Sequence, residues 1–300
     1  MLRCIKKGQG LQIGDWHART PDLVSMIGRE GFPASLDRAL ATVAPFDISC
    51  VFAYPGQDRP LLLHDGLNGV SPAAIMDNYL NGTYLLDAVY AACRRRVAPG
   101  LYRLRDLAPD AFFDGDYFKS PAVHPCISME TGTLAEEIVF IAPLAGDLSL
   151  AYSLMRQHGN APFAAAEMER LRAAAPMVGA LMARHWHHLA ARHSEGQRTA
   201  TVEAAFRSFR QDRLTPREQT VVSLILRGHS SLSIARTLEI AEGTVKIHRK
   251  HIHAKLGISS QTELFNLFIE HLMGQGGDHA PLRGRVSGSG TGPAARPLPI

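Results

Sequence analysis

Apolar residues recur along this 300-residue chain in two periods, and the switches between them mark where elements begin and end. Thr20 to Gly28 and Pro33 to Val43 carry helical spacing, the second run opening with proline in its first turn and stopping at Ala44-Pro45. Phe46 to Tyr54 (FDISCVFAY) is rich in β-branched and aromatic residues. Pro55-Gly56 separates it from the apolar run Pro60 to His64, which predicts a hairpin closed by Asp65-Gly66. Helical spacing returns from Ser71, with Pro72 at the first position, and again from Leu85 to Cys93 beyond the Asn81-Gly82 interruption. Leu101 to Leu107, Ile138 to Leu144 and Asp147 to Met155 read as strands, the last two joined across Ala145-Gly146. Phe163 to Leu189 is alanine-rich and helical, with Pro176 predicted to break or kink it, and Thr201 to Asp212 reads as a helical connector.

From Leu214 to Met273 four short helices follow. Thr215, Pro216 and Glu218 supply a cap, a first-turn proline and a capping box, and Val221, Val222, Leu224 and Ile225 form a buried stripe up to Gly228. Ser230 or Ser231 caps a second helix that turns Ile234, Ala235 and Leu238 inward. The third begins near Ala241 or Glu242. Its Val245, Ile252 and Leu256 share one face, while Lys246, Ile247 and Lys250 share another. The fourth, from Ser260 to Leu272, presents Leu264, Leu267, Phe268 and Leu272, more apolar surface than three helices need, and part of it is expected to contact a second copy. The end of the chain from Gly274 is rich in glycine, proline and serine without an apolar period, which predicts a disordered tail.

Charge sharpens this division. The net +4 resolves into 19 Lys+Arg against 21 Asp+Glu up to Phe206, 10 against 6 from Arg207 to Met273, and 3 against 1 beyond. A near-neutral total therefore conceals an acidic first part and a basic C-terminal module. The hydrophobic content of 46% excludes global disorder, and the four cysteines form no C-x-x-C pair, which excludes a zinc ribbon and fits buried thiols in a reducing cytosol. No stretch approaches a membrane-spanning length, so a soluble, cytoplasmic protein is expected.

The basic module resembles the helix-turn-helix of LuxR/FixJ-type transcriptional regulators. The shared residues are L-T-P-R-E from Leu214, Gly228 with Ser230, Ile234-Ala235, Leu238, Thr244-Val245-Lys246 followed by His248, then Ile252 and Lys255-Leu256-Gly257-Ile258. The resemblance implies a motif over residues 231–250, with Ser231, Ile234, Ala235, Val245 and His248 among its positions. It places Lys246, Ile247 and Lys250 against base edges, where ammonium groups reach guanine O6/N7 and the isoleucine a thymine methyl. Thr244, Arg249 and Lys255 are placed at phosphates, and His248 either there or packed on the second helix. Thr220 replaces a usual acid, Ser231, Leu232 and Ser233 replace Asn-Lys-Glu, and Ala241 replaces a hydroxyl cap worth about 1 kcal/mol. The missing acid is expected to weaken an internal ion pair.

Two leading helices, an antiparallel sheet and a long closing helix resemble a GAF/PAS-like α/β/α sensory domain, so the fold class expected is α+β. The expected divisions are a sensory or dimerising domain over 1–196, a connector over 197–209, the DNA-binding domain over 210–273 and the tail over 274–300. Tyr79, Tyr84 and Asp87 are candidate effector-pocket residues, set against the simpler reading of a core helix face. Trp16 and Trp186 lie outside the region that would line a lactone pocket, which argues against acyl-homoserine lactone. No receiver-type acidic constellation follows Phe46 to Tyr54. No nucleophile elbow, P-loop or H-E-x-x-H occurs, and Cys50, Cys93 and Cys126 have no sequence-defined histidine partner, so no enzyme activity is expected. His185, His187, His188 and His193 are read as a solvated helix end, and no metal or cofactor is expected. The expected partners are double-stranded DNA, a second copy of the chain, an unidentified small effector and RNA polymerase; a domain that only dimerises or binds a protein, with no ligand, is the alternative.

Overall fold

The computed structural model describes residues 13–56, 58–66, 73–116, 134–144, 147–189, 206 and 208–275. Two helices, α1 (Ile13–Ser25) and α2 (Phe32–Leu40), lead into the hairpin β1 (Ile48–Pro55) and β2 (Leu61–Gly66). Then come α3 (Ala73–Asn81), a 3-10 turn over Thr83–Leu86, α4 (Ala88–Arg94), β3 (Gly100–Arg103) and the single turn α5 (Leu104–Leu107). The hairpin β4 (Leu134–Pro143) and β5 (Leu148–Gln157) precedes the long helix α6 (Ala165–His185). All five strands form one antiparallel sheet in the order β2-β1-β5-β4-β3.

Every position of β1 is buried, because helices cover both faces of the sheet. Val51, Ala53, Phe140 and Leu154 point to α1, α2 and α6, while Cys50, Phe52, Val139 and Met155 point to α3 and α4. The strand residues thus alternate between two apolar layers rather than between core and water, which gives continuous hydrophobic runs in the sequence.

Two expectations change here. The strand expected over Leu101 to Leu107 ends at Arg103, since Leu104 and Leu107, three apart, can both be buried by one helical turn but would point to opposite faces of a strand. Helix α6 is not broken at Pro176. That residue lies on the exposed side, where water can satisfy the carbonyl one turn back that loses its amide partner. The connector expected from Thr201 falls mostly outside the described residues, as do the tail beyond Gln275, Cys4, Cys126 and His193.

The C-terminal module comprises α7 (Pro216–Leu226), α8 (Ser231–Leu238), α9 (Glu242–Leu256) and α10 (Gln261–Gln275). Thr215 and Glu218 form the expected capping box, and Ser230 caps α8 by accepting the amide of Ser233. Ala241 offers no side-chain cap to α9. Val221, Val222, Ile234, Val245, Ile252 and Leu264 close the core among the four helices. Phe206 stacks on Phe268 at 4.8 Å and Phe209 meets the same ring edge-on at 5.2 Å. Leu272 packs so closely on Gly82 that a Cβ there would lie 3.1 Å from its Cδ2. The surplus apolar surface of α10, expected to meet a second copy, is therefore covered within the chain by the segment before α7 and by the N-terminal domain. One apolar cluster runs without a break from the α3/α4 side of the sheet into the helical module. Among the described residues no helix is long and apolar enough to cross a membrane.

Candidate nucleic-acid interface and a buried polar face

Helix α9 divides sharply by side. Val245 and Ile252 are fully buried, whereas Thr244, Lys246, Ile247 and Lys250 are exposed. Ile247 at 56% is the most exposed of the large apolar residues described, a position that burial does not explain. Lys246 pairs with Glu242 one turn earlier at 2.8 Å, which holds its ammonium over the first turn of the helix. Lys250 makes no ion pair among the described residues. His248 is half-buried.

Two further cations of the helix reach neighbouring helices, Arg249 from a half-buried position and Lys255 from an exposed one. Lys255 Nζ donates to Glu218 Oε2 at 2.7 Å, joining α9 to the start of α7. Glu218 also accepts from the amide and hydroxyl of Thr215, at 2.8 and 2.9 Å. Burial on its own raises the Glu218 pKa, but the Lys255 ammonium and the Thr215 donors hold it below the ordinary carboxylate range. The internal ion pair thus runs through Glu218, while Thr220, standing where an acid is usual, bonds back to the Pro216 carbonyl at 3.0 Å. Arg249 donates to Gln261 Oε1 at 3.0 Å and to Ser231 Oγ at 3.5 Å, tying α9 to α10 and α8. Charge and spacing alone could not separate these bracing cations from those of the outer face.

In the N-terminal domain, Tyr79 and Asp87 do come together. The Tyr79 hydroxyl donates to Asp87 Oδ2 at 2.6 Å and shares a 2.7 Å hydrogen bond with the Tyr54 hydroxyl, and Asp87 Oδ1 accepts the Val89 amide at the start of α4. Tyr84 is buried beside them through ring contacts with Tyr79 and Tyr90 at 6.3 and 5.0 Å, outside the hydrogen-bonded chain. Burial raises the Asp87 pKa to about 6 against the lowering effect of its two donors. Glu137 of β4 lies on the same side. Burial first, then the charge of Asp87, lifts its pKa to about 8 despite a hydrogen bond from Ser153.

Tyr54 and Glu137 were not among the sequence candidates. A signal existed for Glu137: in a strand covered on both faces, the consecutive Glu136-Glu137 must bury one carboxylate on each side. Glu136 is matched by Arg103, Arg105 and the Phe163 amide, while Glu137, with Ser153 and Asp87 as its polar neighbours, has no arginine pair among the described residues.

The other histidine and tryptophan candidates belong to the opposite layer. Trp16 and Trp186 pack against α2 and α6, away from Tyr79 and Asp87. His185 is not a solvated helix end. It is buried, accepts the Gly28 amide on Nδ1 at 3.0 Å and stacks on Phe32 at 4.2 Å, with His187 and His188 exposed. Burial, and then the neighbouring His188, lowers its pKa to about 4. No cluster of three or more metal-ligating side chains occurs among the described residues. Cys50 and Cys93 are buried, and burial pushes the Cys93 thiol up, away from nucleophile chemistry.

The family described as "Bacterial regulatory proteins, luxR family" matches residues 212–268. An Aeromonas salmonicida protein, "Putative HTH-type transcriptional regulator in exeN 3'region", is 38% identical over 145 residues, covering 46% of this chain and 74% of that one. "Transcriptional regulatory protein MctR" of Rhizobium johnstonii is 42% identical over 60 residues, and "Nitrate/nitrite response regulator protein NarL" of Escherichia coli is 44% identical over 52. The chain spans only 28% and 24% of those two proteins. Among solved structures, the VqsR LBD domain of Pseudomonas aeruginosa matches with 25% identity and a TM-score of 0.48, over 58% of this chain and 98% of that one. SdiA in complex with octanoyl-rac-glycerol matches with 14% identity and a TM-score of 0.40, over 91% and 100%.

Proposed function

Because the chain belongs to the LuxR family of DNA-binding transcriptional regulators, we propose that α9 reads a specific sequence in the major groove. The exposed trio Lys246, Ile247 and Lys250 carries this reading. Its two ammonium groups suit guanine O6/N7 and its isoleucine a thymine methyl. Thr244, in the first turn, is placed to meet phosphate. Arg249 and Lys255 act chiefly by bracing the module, since each already donates to a neighbouring helix or its cap. In this proposal residues 1–196 form the sensory or dimerising domain, 197–209 the connector and 210–273 the DNA-binding domain. The active form is a homodimer whose two α9 helices meet successive half-sites.

A binding-site selection with the full chain, followed by titration of the selected duplex, tests the assignment. Lys250→Ala should weaken binding by roughly 1–3 kcal/mol on the selected site and much less on random duplex. Lys255→Ala should instead lower the melting stability of the module, by about 1 kcal/mol, because the buried Glu218 loses its cation and keeps only the Thr215 donors. Equal operator affinity for Lys250→Ala and wild type would remove the reading role.

For the N-terminal domain we propose a small effector acting at the Tyr54–Tyr79–Asp87 chain. The supporting observation is that two ionisable groups, Asp87 and Glu137, are held in an apolar layer at a cost to stability, a pattern concentrated at functional sites. The ligand-free alternative, a dimerising domain, draws on the close packing of these tyrosine rings in the present structure. Mass spectrometry under non-denaturing conditions separates them: a stoichiometric small molecule retained by wild type and lost in Asp87→Ala supports the sensor.

A further inference from the structure

The loop after α5 touches the DNA-binding module at the end of a helix that faces DNA in helix-turn-helix complexes. Asp110 Oδ1 accepts the Ser230 amide at 3.1 Å, and Asp110 Oδ2 accepts the Ser230 hydroxyl at 2.5 Å. Ser230 is the N-cap of α8, the first helix of the pair, so the carboxylate sits on the positive end of that helix dipole. Three further contacts seat the loop. The Ala111 amide donates to the Gly228 carbonyl at 3.0 Å. Phe112 lies so near Gly228 that a Cβ there would be 2.7 Å from the Phe112 Cα. Asp116 accepts from Thr262 at 3.3 Å. The cavity left in the seam is only about 10 Å³, roughly the space of one water.

In a helix-turn-helix complex the first helix crosses the sugar-phosphate backbone, and helix N-termini are common donors to phosphate oxygens. A carboxylate bound by one backbone amide and one capping hydroxyl presents two anionic oxygens as a phosphate does. The loop repeats the charge: Asp110, Asp114 and Asp116 fall within seven residues, against a module with 10 basic and 6 acidic side chains. The docked loop leaves the outer face of α9 open, since Ile247 and Lys250 remain exposed. It therefore competes for the backbone contact and not for the bases.

We infer that Asp110 is a built-in phosphate mimic, so that seating of the 109–116 loop and closure of α8 onto the DNA backbone exclude one another. This rests on the DNA-reading role proposed above. The device couples the two domains directly. Any change in the α4 to α5 region that withdraws the loop frees the α8 end for a phosphate, by differential affinity for the two arrangements.

The test uses the full chain and a fluorescently labelled random-sequence duplex, which reports phosphate contacts without base reading. Asp110 is exposed, so Asp110→Ala should fold normally, as circular dichroism will verify. Its affinity should rise about fivefold, the scale of an exposed charge contact. The slope of log affinity against log salt should steepen by about 0.9, one added phosphate. As an independent reading, adding duplex to wild type should accelerate hydrogen exchange at the Ala111 amide. Unchanged affinity and slope in Asp110→Ala, or an Ala111 amide that stays protected in the complex, would overturn the inference. If neither protein binds this duplex while wild type binds the selected site, this inference alone falls; if wild type binds neither duplex, the DNA-reading role fails and takes this inference with it.

Discussion

The two sides of the central sheet are built from the same strands and differ in what they do with polar groups. On the α1/α2/α6 side, Asp37 collects the hydroxyls of Ser49 and Tyr152 and the His64 ring at the edge of the apolar layer, and His185 is buried neutral between Phe32 and Trp186. On the α3/α4 side, the carboxyl groups of Asp87, bonded to Tyr79, and of nearby Glu137 are buried, and the apolar layer continues into the DNA-binding module. The first arrangement closes a layer. The second places titratable groups in the layer that is continuous with the helical module. The two sides therefore answer pH with opposite signs. Asp87 and Glu137, raised to about 6 and about 8, keep protons that the unfolded chain has already released, so their stabilisation is present in acid and lost as pH rises from about 4 to about 8. His185, lowered to about 4, resists a proton that the unfolded chain accepts near 6.5, so stability on its side is lost as pH falls through that window.

Replacing Glu137 with Gln gives the largest expected effect. The amide keeps the shape and a hydrogen bond to Ser153 but has no charge to desolvate, so stability at pH 7 should rise by on the order of 3 kcal/mol. The decline of stability between pH 5 and 8 should flatten at the same time. Denaturant titrations across that range measure both, and an unchanged pH slope in the variant would show that Glu137 is already ionised in the fold.

A smaller effect of opposite sign is expected on the other side. His185→Asn retains an acceptor for the Gly28 amide but does not titrate. It should be less stable than wild type at pH 7, through loss of the stack on Phe32, yet lose less between pH 6.5 and 4. The difference in slope should amount to about 2 kcal/mol over the window. Parallel curves for the two proteins would mean that His185 is not the group holding that side together in its neutral form.

This asymmetry also separates what could be read from the sequence. The helical module was legible because its determinants are local: the Thr215 to Glu218 box, Gly228 after α7, Ser230 at α8 and the sevenfold spacing of Val245 and Ile252 each act within a few residues. The antiparallel sheet and its flanking helices were legible as elements, since Phe46 to Tyr54 and Ile138 to Leu144 carry strand composition. Their tertiary roles were not. The Asp110 to Ser230 contact spans 120 residues, and Gly228, legible as a helix terminator, gives no hint that Phe112 presses on it. The site residues divide in the same way. Periodicity put Lys246, Ile247 and Lys250 on one face, but whether Lys255 met phosphate or Glu218 depended on a carboxylate 37 residues away. Tyr79 with Asp87 lay within reach of a local reading, whereas Tyr54 and Glu137 join them only through the pairing of distant strands.

The smallest effect tests how far the two buried acids are separately held. Tyr79→Phe removes one donor from Asp87 and the partner of the Tyr54 hydroxyl without changing the ring that packs on Phe52 at 5.0 Å. With one stabilising hydrogen bond gone, the Asp87 pKa should rise above about 6. Stability should fall by about 1 kcal/mol at pH 7, the usual scale of one hydrogen bond. Because Asp87 then carries less charge at neutral pH, Glu137 meets less repulsion and its own pKa should move down toward that of Asp87. Carboxyl chemical shifts followed by NMR in wild type and variant resolve the two titrations. Movement of both in opposite directions identifies them as one coupled pair in this layer, and movement of Asp87 alone would separate Glu137 from it and confine the effector-site proposal to the tyrosine chain.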